Sequence, residues 1–255
     1  PGELNRDLCD LLNERVSLPD VEVSFFSGKE HRFVIRLRGK GLSQELGDTD
    51  PQHEGMKPLP AKPLDDEARG TAKLVDSLID QARDLLMDRH PANMVLLRGF
   101  SKHPDYPSMD YIYHLTPACI ATYPMYRGVS RVIGMTILSA GETLEDQFEV
   151  MKKNYDSCDF FFLHYKKPDA KGEDGDFDAK VKAIEAFDEF LPSIRELKPD
   201  VLVVTGDHST PAVLAQHSWH EIPVILSGRY CRPDMVTEFS ERACLSGGLG
   251  HIHAM

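Results

Sequence analysis

Val201-Leu202-Val203-Val204-Thr205-Gly206-Asp207-His208-Ser209-Thr210 is the stretch on which the reading of this chain turns. The short β-branched run predicts a buried strand, and Gly206 at its end is expected to let the backbone turn sharply. An acid and an imidazole, Asp207 and His208, follow side by side. In open α/β sheets ligands bind outside the carboxyl ends of the strands, so the pair stands where a ligand would be held. Carboxylate and imidazole donors, with His217 a few residues on, suit a divalent metal.

Upstream, Asp178 to Leu197 predicts an amphipathic helix with Val181, Ile184, Phe187, Leu191, Ile194 and Leu197 inward. Before it, Cys158 to His164 is a nearly continuous apolar run, as expected of a strand covered on both faces. Strand, helix, strand makes a βαβ unit, whose strands should be parallel with a right-handed crossover. Their C-terminal ends then share one edge, which gathers the segment from His164 to Glu173 beside Asp207 and His208.

Lys167 to Asp176 is an acidic loop in which Asp169 and Glu173 are four apart. One helical turn would put both carboxylates on the same face, within reach of the metal that His217 also reaches. A solvated acidic turn capping the next helix is the competing reading. The oxygen spacing of a calcium-binding EF-hand is absent. His164 is either a ligand or a strand-end histidine bonded to backbone, and His220 reads as a surface residue. Arg98, Arg127 and Arg131 are candidates to hold a phosphate or carboxylate, because guanidinium binds either in a bidentate way. Arg131 reads equally well as a helix-surface charge. Arg32 and Arg36 would share one strand face, one of them as solvent-facing filler.

The first part of the chain has a different pattern. Glu3 to Val16 predicts a helix, and Val21 to Phe26 and His31 to Leu37 alternate as a hairpin. Gly39 to Pro63 is a long Gly-, Pro- and Asp-rich loop of the kind that is often functional. Asp65 to Asp88 has apolar residues at helical spacing with Asp65 as its cap, and Asn93 to Arg98 predicts a third strand. This makes an α+β unit of roughly 100 residues, with a boundary near Pro104 and Pro107. Beyond it come a short strand at Ala118 to Ala121, helices at Val129 to Met135 and Leu144 to Tyr155, and a strand at Ile222 to Leu226.

The 255 residues suffice for a real core. A formal net charge of −12 argues against nucleic acid as the main partner, since phosphate-backbone binding wants a basic face. A small anionic substrate needs only a local basic cluster. The five scattered cysteines form no C-x-x-C pair and read as reduced thiols of a cytoplasmic protein. No apolar run reaches membrane-spanning length.

Taken together, Thr205-Gly206-Asp207-His208-Ser209-Thr210-Pro211 with Leu214 and His217-Ser218 resembles the metal motif of cofactor-independent phosphoglycerate mutases of the archaeal type. The segment Asp169-x-x-Gly172-Glu173-Asp174-Gly175-Asp176-Phe177 resembles that family's second metal segment. Leu37-Arg38-Gly39-x-Gly41-Leu42-Ser43, Asp48-Thr49-Asp50-Pro51, Leu97-Arg98-Gly99 and Tyr126-Arg127-Gly128 fit its pattern, so the resemblance runs in order over essentially the whole chain. The family belongs to the alkaline phosphatase superfamily. The fold this implies is α/β. Residues 106–255 would be the C-terminal part of an alkaline-phosphatase-like core with a mostly parallel sheet and flanking helices. Residues 1–105 would be a smaller α+β inserted domain that closes on substrate.

The implied activity is glycolytic: interconversion of 3-phosphoglycerate and 2-phosphoglycerate through a phosphoserine, without 2,3-bisphosphoglycerate. Two divalent ions, Mn2+ ahead of Mg2+, Co2+ or Zn2+, would assist it. By motif position Asp207 and His208 would bind one ion, and Asp169, Glu173 and His217 the other. Arg127 would steady the phosphoryl group, and Arg32, Arg98 and Asp50 would hold the glycerate. Many superfamily members carry histidine where Glu173 stands; a carboxylate there suits Mn2+ or Mg2+. No serine here matches the family's nucleophile, whose segment is expected to lie outside this chain. The competing functions are a metal-dependent phosphohydrolase on the same fold and a non-catalytic metal- or ligand-binding fragment. The residues do not specify the oligomeric state.

Overall fold

In the computed structural model of this protein, residues 2–28, 30–53 and 55–253 are described. The chain divides into two compact units, Pro1–Pro104 and Asp105–Met255.

In the first unit the helical spacing of apolar residues becomes two helices. Helix α1 (Gly2–Arg15) buries Cys9 and Leu12, and α2 (Arg69–Leu86) buries Val75, Leu78 and Ala82 completely or nearly so. Strands β1 (Glu22–Ser27) and β2 (Phe33–Arg38) form the expected antiparallel hairpin, with Phe25 opposite Ile35. Asn13 ties α1 to it: its amide donates to the Phe25 carbonyl at 2.9 Å, and the Phe25 N–H donates to its Oδ1 at 2.7 Å. Helix α2 starts later than expected, because Asp65 accepts from the Ala68 N–H (2.7 Å) and caps a separate turn ahead of it.

The stretch from Asn93 to Arg98 is not a strand. The Thr49 N–H donates to the Leu97 carbonyl (2.8 Å), and the Leu97 N–H donates to the Thr49 hydroxyl (2.9 Å). The Gly99 N–H donates to the Asp48 carboxylate at 2.9 Å. Side-chain acceptors replace the carbonyls of a neighbouring strand, so no ladder forms.

In the second unit β3 (Pro117–Ala121) is buried along its whole length. It lies between β4 (Thr136–Ile137) and β5 (Phe160–His164) in a parallel sheet of order β4-β3-β5. Helix α3 (Met109–Tyr113) precedes this sheet. Helix α4 (Pro124–Val132) begins before the expected Val129, because Pro124 in its first turn has the φ a helix start needs. Helix α5 (Leu144–Asn154) opens on a capping box between Thr143 and Asp146. A short 3-10 turn (Tyr155–Ser157) leads into β5, after which come α6 (Lys167–Glu173) and α7 (Phe177–Glu196). Phe148 and Phe190 join α5 to α7 edge to face, with ring centroids 5.4 Å apart. Of the inward set expected on α7, Ile184 is 50% exposed.

Strand β6 (Val201–Thr205) departs from expectation in its partner. It pairs antiparallel with β7 (Val224–Gly228), Val203 opposite Leu226, and not with β5. It is not a fully buried strand either: Val201 and Val203 are 60% and 51% exposed. A β-branched run specifies an extended conformation but not which edge it joins; that depends on the tertiary path of residues 206–223, which brings the chain straight back alongside. A last short helix, α8 (Glu241–Cys244), follows. Among the described residues, no helix is long and apolar enough to cross a membrane.

Candidate metal centre

The acidic stretch after β5 folds as α6, with Pro168 in its first turn. Asp169 and Glu173 therefore lie one turn apart on a helix. The capping reading also holds for part of the same stretch, since Asp176 accepts from the Ala179 N–H (3.0 Å) at the start of α7. After β6, the Ser218 N–H donates to the Ser209 carbonyl at 2.9 Å and closes the loop. That closure brings the His217 ring against the His208 ring, centroids 3.9 Å apart.

Gly206 does not carry the turn in the way its identity suggests. It has no positive φ, and a Cβ there would meet nothing closer than 3.6 Å.

His217 Nε2 lies 3.6 Å from Asp169 Oδ1 and 3.3 Å from Glu173 Oε1. His208 places Nδ1 3.7 Å from Asp169 Oδ1 and Nε2 3.6 Å from Asp207 Oδ2. One ligand atom each from Asp169, His208 and His217 falls within 4.8 Å of the others. This triad cuts across the two expected sets: it takes His208 from one and Asp169 and His217 from the other. Glu173 and Asp207 flank it. Carboxylate oxygens with imidazole nitrogens form a donor set that fits a divalent transition ion.

The carboxylates are poised as anions. Burial alone would raise the Asp169 carboxyl, but hydrogen bonds from Lys166 and Thr210 and the charge of Lys166 outweigh it and hold its pKa below the ordinary value. Asp207 is likewise opposed by burial, yet it is held low by the Tyr126 hydroxyl, which donates to Oδ2 at 2.5 Å. Burial and the Asp207 anion together push the Tyr126 phenol well above its usual range.

In the sequence Tyr126 stands only as part of the Tyr126-Arg127-Gly128 motif. The structure gives it two contacts, for its ring also stacks on His164 at 3.5 Å. His164 has a buried Nδ1 without a hydrogen-bond partner, so it is not bonded to backbone through that atom, and it is not among the triad. Burial lowers its pKa and keeps the ring neutral. His220 is exposed, as expected, and its Nδ1 meets the Ser218 hydroxyl at 2.7 Å.

Arg127 follows Tyr126 on α4, half-buried and without an ion pair among the described residues. Arg131 is exposed. The other expected substrate residues are in the first unit. Arg98 Nε lies 3.8 Å from Asp50 Oδ2. Arg32 precedes β2, in the hairpin turn, where it pairs with Glu30 at 2.9 Å. Arg36 pairs with Glu22 at 3.0 Å on the strand itself.

The chain is similar to known metalloenzymes. The family described as Metalloenzyme superfamily matches residues 61–255, and the family described as 2,3-bisphosphoglycerate-independent phosphoglycerate mutase matches residues 1–93. A probable 2,3-bisphosphoglycerate-independent phosphoglycerate mutase of Thermosipho africanus is 45% identical over 100% of this chain and 63% of its own length. One of Thermus thermophilus is 46% identical over 100% of this chain and 64% of its own length. The chain thus spans less than two thirds of the relatives it matches. The solved cofactor-independent phosphoglycerate mutase of Thermoplasma acidophilum shares the fold, with a TM-score of 0.67 at 24% identity over 97% of this chain and 66% of that one.

Proposed function

The chain belongs to the metalloenzyme superfamily, and we propose that it is part of a metal-dependent, 2,3-bisphosphoglycerate-independent phosphoglycerate mutase. One observation carries the reading: Asp169, His208 and His217, from three separate places in the sequence, present ligand atoms within 4.8 Å of one another. Similarity over all of this chain to a probable phosphoglycerate mutase supports a small phosphorylated substrate.

Asp207 and His208 would hold one divalent ion, and Asp169, Glu173 and His217 the other, with His208 close enough to Asp169 to serve either. Bound divalent ions supply Lewis-acid chemistry: they neutralise phosphate charge and favour the ionised form of an attacking hydroxyl. Mn2+ is the ion we assign, because the five residues offer three carboxylates against two imidazoles, an oxygen-rich donor set. The protein's own side chains do the remaining work. Arg127 offers a planar fork to the phosphoryl oxygens. Arg98 and Arg32 would take the carboxylate of the glycerate, with Asp50 orienting Arg98. No serine of this chain is assigned as the nucleophile.

The test is conversion of 3-phosphoglycerate to 2-phosphoglycerate by the full-length protein, with Mn2+ and without 2,3-bisphosphoglycerate. Turnover abolished by a chelator and restored by Mn2+ is expected. Release of free phosphate without 2-phosphoglycerate would replace the mutase with a phosphohydrolase.

A further inference from the structure

We propose that Thr210 is a positioning residue that fixes the imidazole tautomer of His208 and the orientation of the Asp169 carboxylate for a divalent cation. The proposal rests on the metal-site reading above and extends it to a residue outside the ligand set.

Thr210 is only 3% exposed, and a buried hydroxyl must find partners within the protein. Its oxygen lies 2.5 Å from Asp169 Oδ1 and 3.1 Å from His208 Nδ1. A hydroxyl has one proton, and an ionised carboxylate can only accept. The proton therefore points to Asp169, and the contact with His208 needs a hydrogen on Nδ1. A neutral imidazole carries one N–H, so the lone pair is left on Nε2, the atom that faces Asp207 at 3.6 Å. The other oxygen of Asp169 is engaged by Lys166, so both carboxylate oxygens are oriented from the protein side.

Thr210 is itself held from two directions. Its carbonyl accepts from Lys180 Nζ, on α7, at 2.6 Å. On α6 a Cβ at Gly172 would come within 2.2 Å of the same carbonyl, so that glycine is what permits the approach. Helix α6, helix α7 and the loop after β6 thus meet at one threonine, whose hydroxyl joins a candidate ligand from α6 to one from the loop. Partners that orient metal-binding groups typically account for 10–100-fold in metal affinity.

The test uses the full-length protein. Mn2+ is titrated calorimetrically into wild type, Thr210→Val, Thr210→Ser and Asp169→Asn. Imidazole nitrogen NMR of metal-free wild type and Thr210→Val, at about pH 8 where free histidine is neutral, reads the His208 tautomer. Thr210→Val should weaken one Mn2+ site about 10–100-fold and reduce the Nδ1–H form of His208, while Thr210→Ser keeps both near wild type. Wild-type affinity in Thr210→Val overturns the proposal. So does an Nε2–H tautomer in unaltered protein, a measurement that needs no folded variant. If Asp169→Asn also binds Mn2+ as wild type does, or wild type binds none, the metal-site reading fails and this inference falls with it. If Asp169→Asn loses binding and Thr210→Val does not, only the Thr210 assignment is wrong.

Discussion

Asp207 has one oxygen shared between the Tyr126 hydroxyl and the neighbourhood of His208 Nε2, and the other accepting from the His208 N–H at 3.2 Å. Replacing it by Asn removes the charge but keeps the size, so the hydrogen bonds can persist while cation affinity falls. Asp207→Asn is expected to lose one bound Mn2+ ion and keep the other, read as stoichiometry by calorimetry; an unchanged stoichiometry would remove Asp207 from the ligand set. The carboxylates and imidazoles of the candidate cluster stand in the sequence as short local groups, Asp169 with Glu173 and Asp207 with His208. The roles of Tyr126 and Thr210 were not legible there. A tyrosine 81 positions from its partner aspartate leaves no spacing signal in the sequence.

At the scale of elements, the helices followed from local patterns because a helix satisfies its backbone within itself. Thr143 and Asp146 close the first turn of α5 reciprocally, with the Asp146 N–H donating to the Thr143 hydroxyl at 3.1 Å and the Thr143 N–H to the Asp146 carboxylate at 3.3 Å. Thr143→Ala should cost about 1 kcal/mol, read as a shift of the denaturant midpoint, without altering Mn2+ stoichiometry. A loss of Mn2+ binding in that variant would mean that α5 supports the metal centre. Strands were less secure. The residues from Asn93 to Arg98 have strand composition, yet Thr49 and Asp48 take the N–H groups of Leu97 and Gly99 in place of a second strand. The β-branched run at β6 did become a strand, but with an antiparallel partner.

For the whole molecule, the cluster of depressed carboxyl pKa values ties stability to pH. Asp169 and Asp207 ionise more readily folded than unfolded. Such groups add stability that is fully present above their unfolded pKa, about 4, and is lost as pH falls through the folded pKa. The metal-free protein should therefore melt at a lower temperature near pH 3 than near pH 6, with the difference reduced in Asp169→Asn. Mn2+ binds the folded state, so at about 100 times its dissociation constant it should add about 2.7 kcal/mol per site to the stability at neutral pH. A melting temperature indifferent to Mn2+ would argue against a preformed site.

The sequence by itself determined helices α1, α2, α5 and α7, the hairpin, the donor types and, through its motifs, the family. These are properties of neighbouring residues: apolar period, turn chemistry, and acids and imidazoles held at short spacing. Only the tertiary structure decided that His208 stands between Asp169 and Asp207, that Thr210 joins two of the three, and that β6 runs beside β7. Those outcomes depend on contacts between residues tens of positions apart. Such contacts form when α6, α7 and the loop after β6 pack together, and no local pattern encodes them.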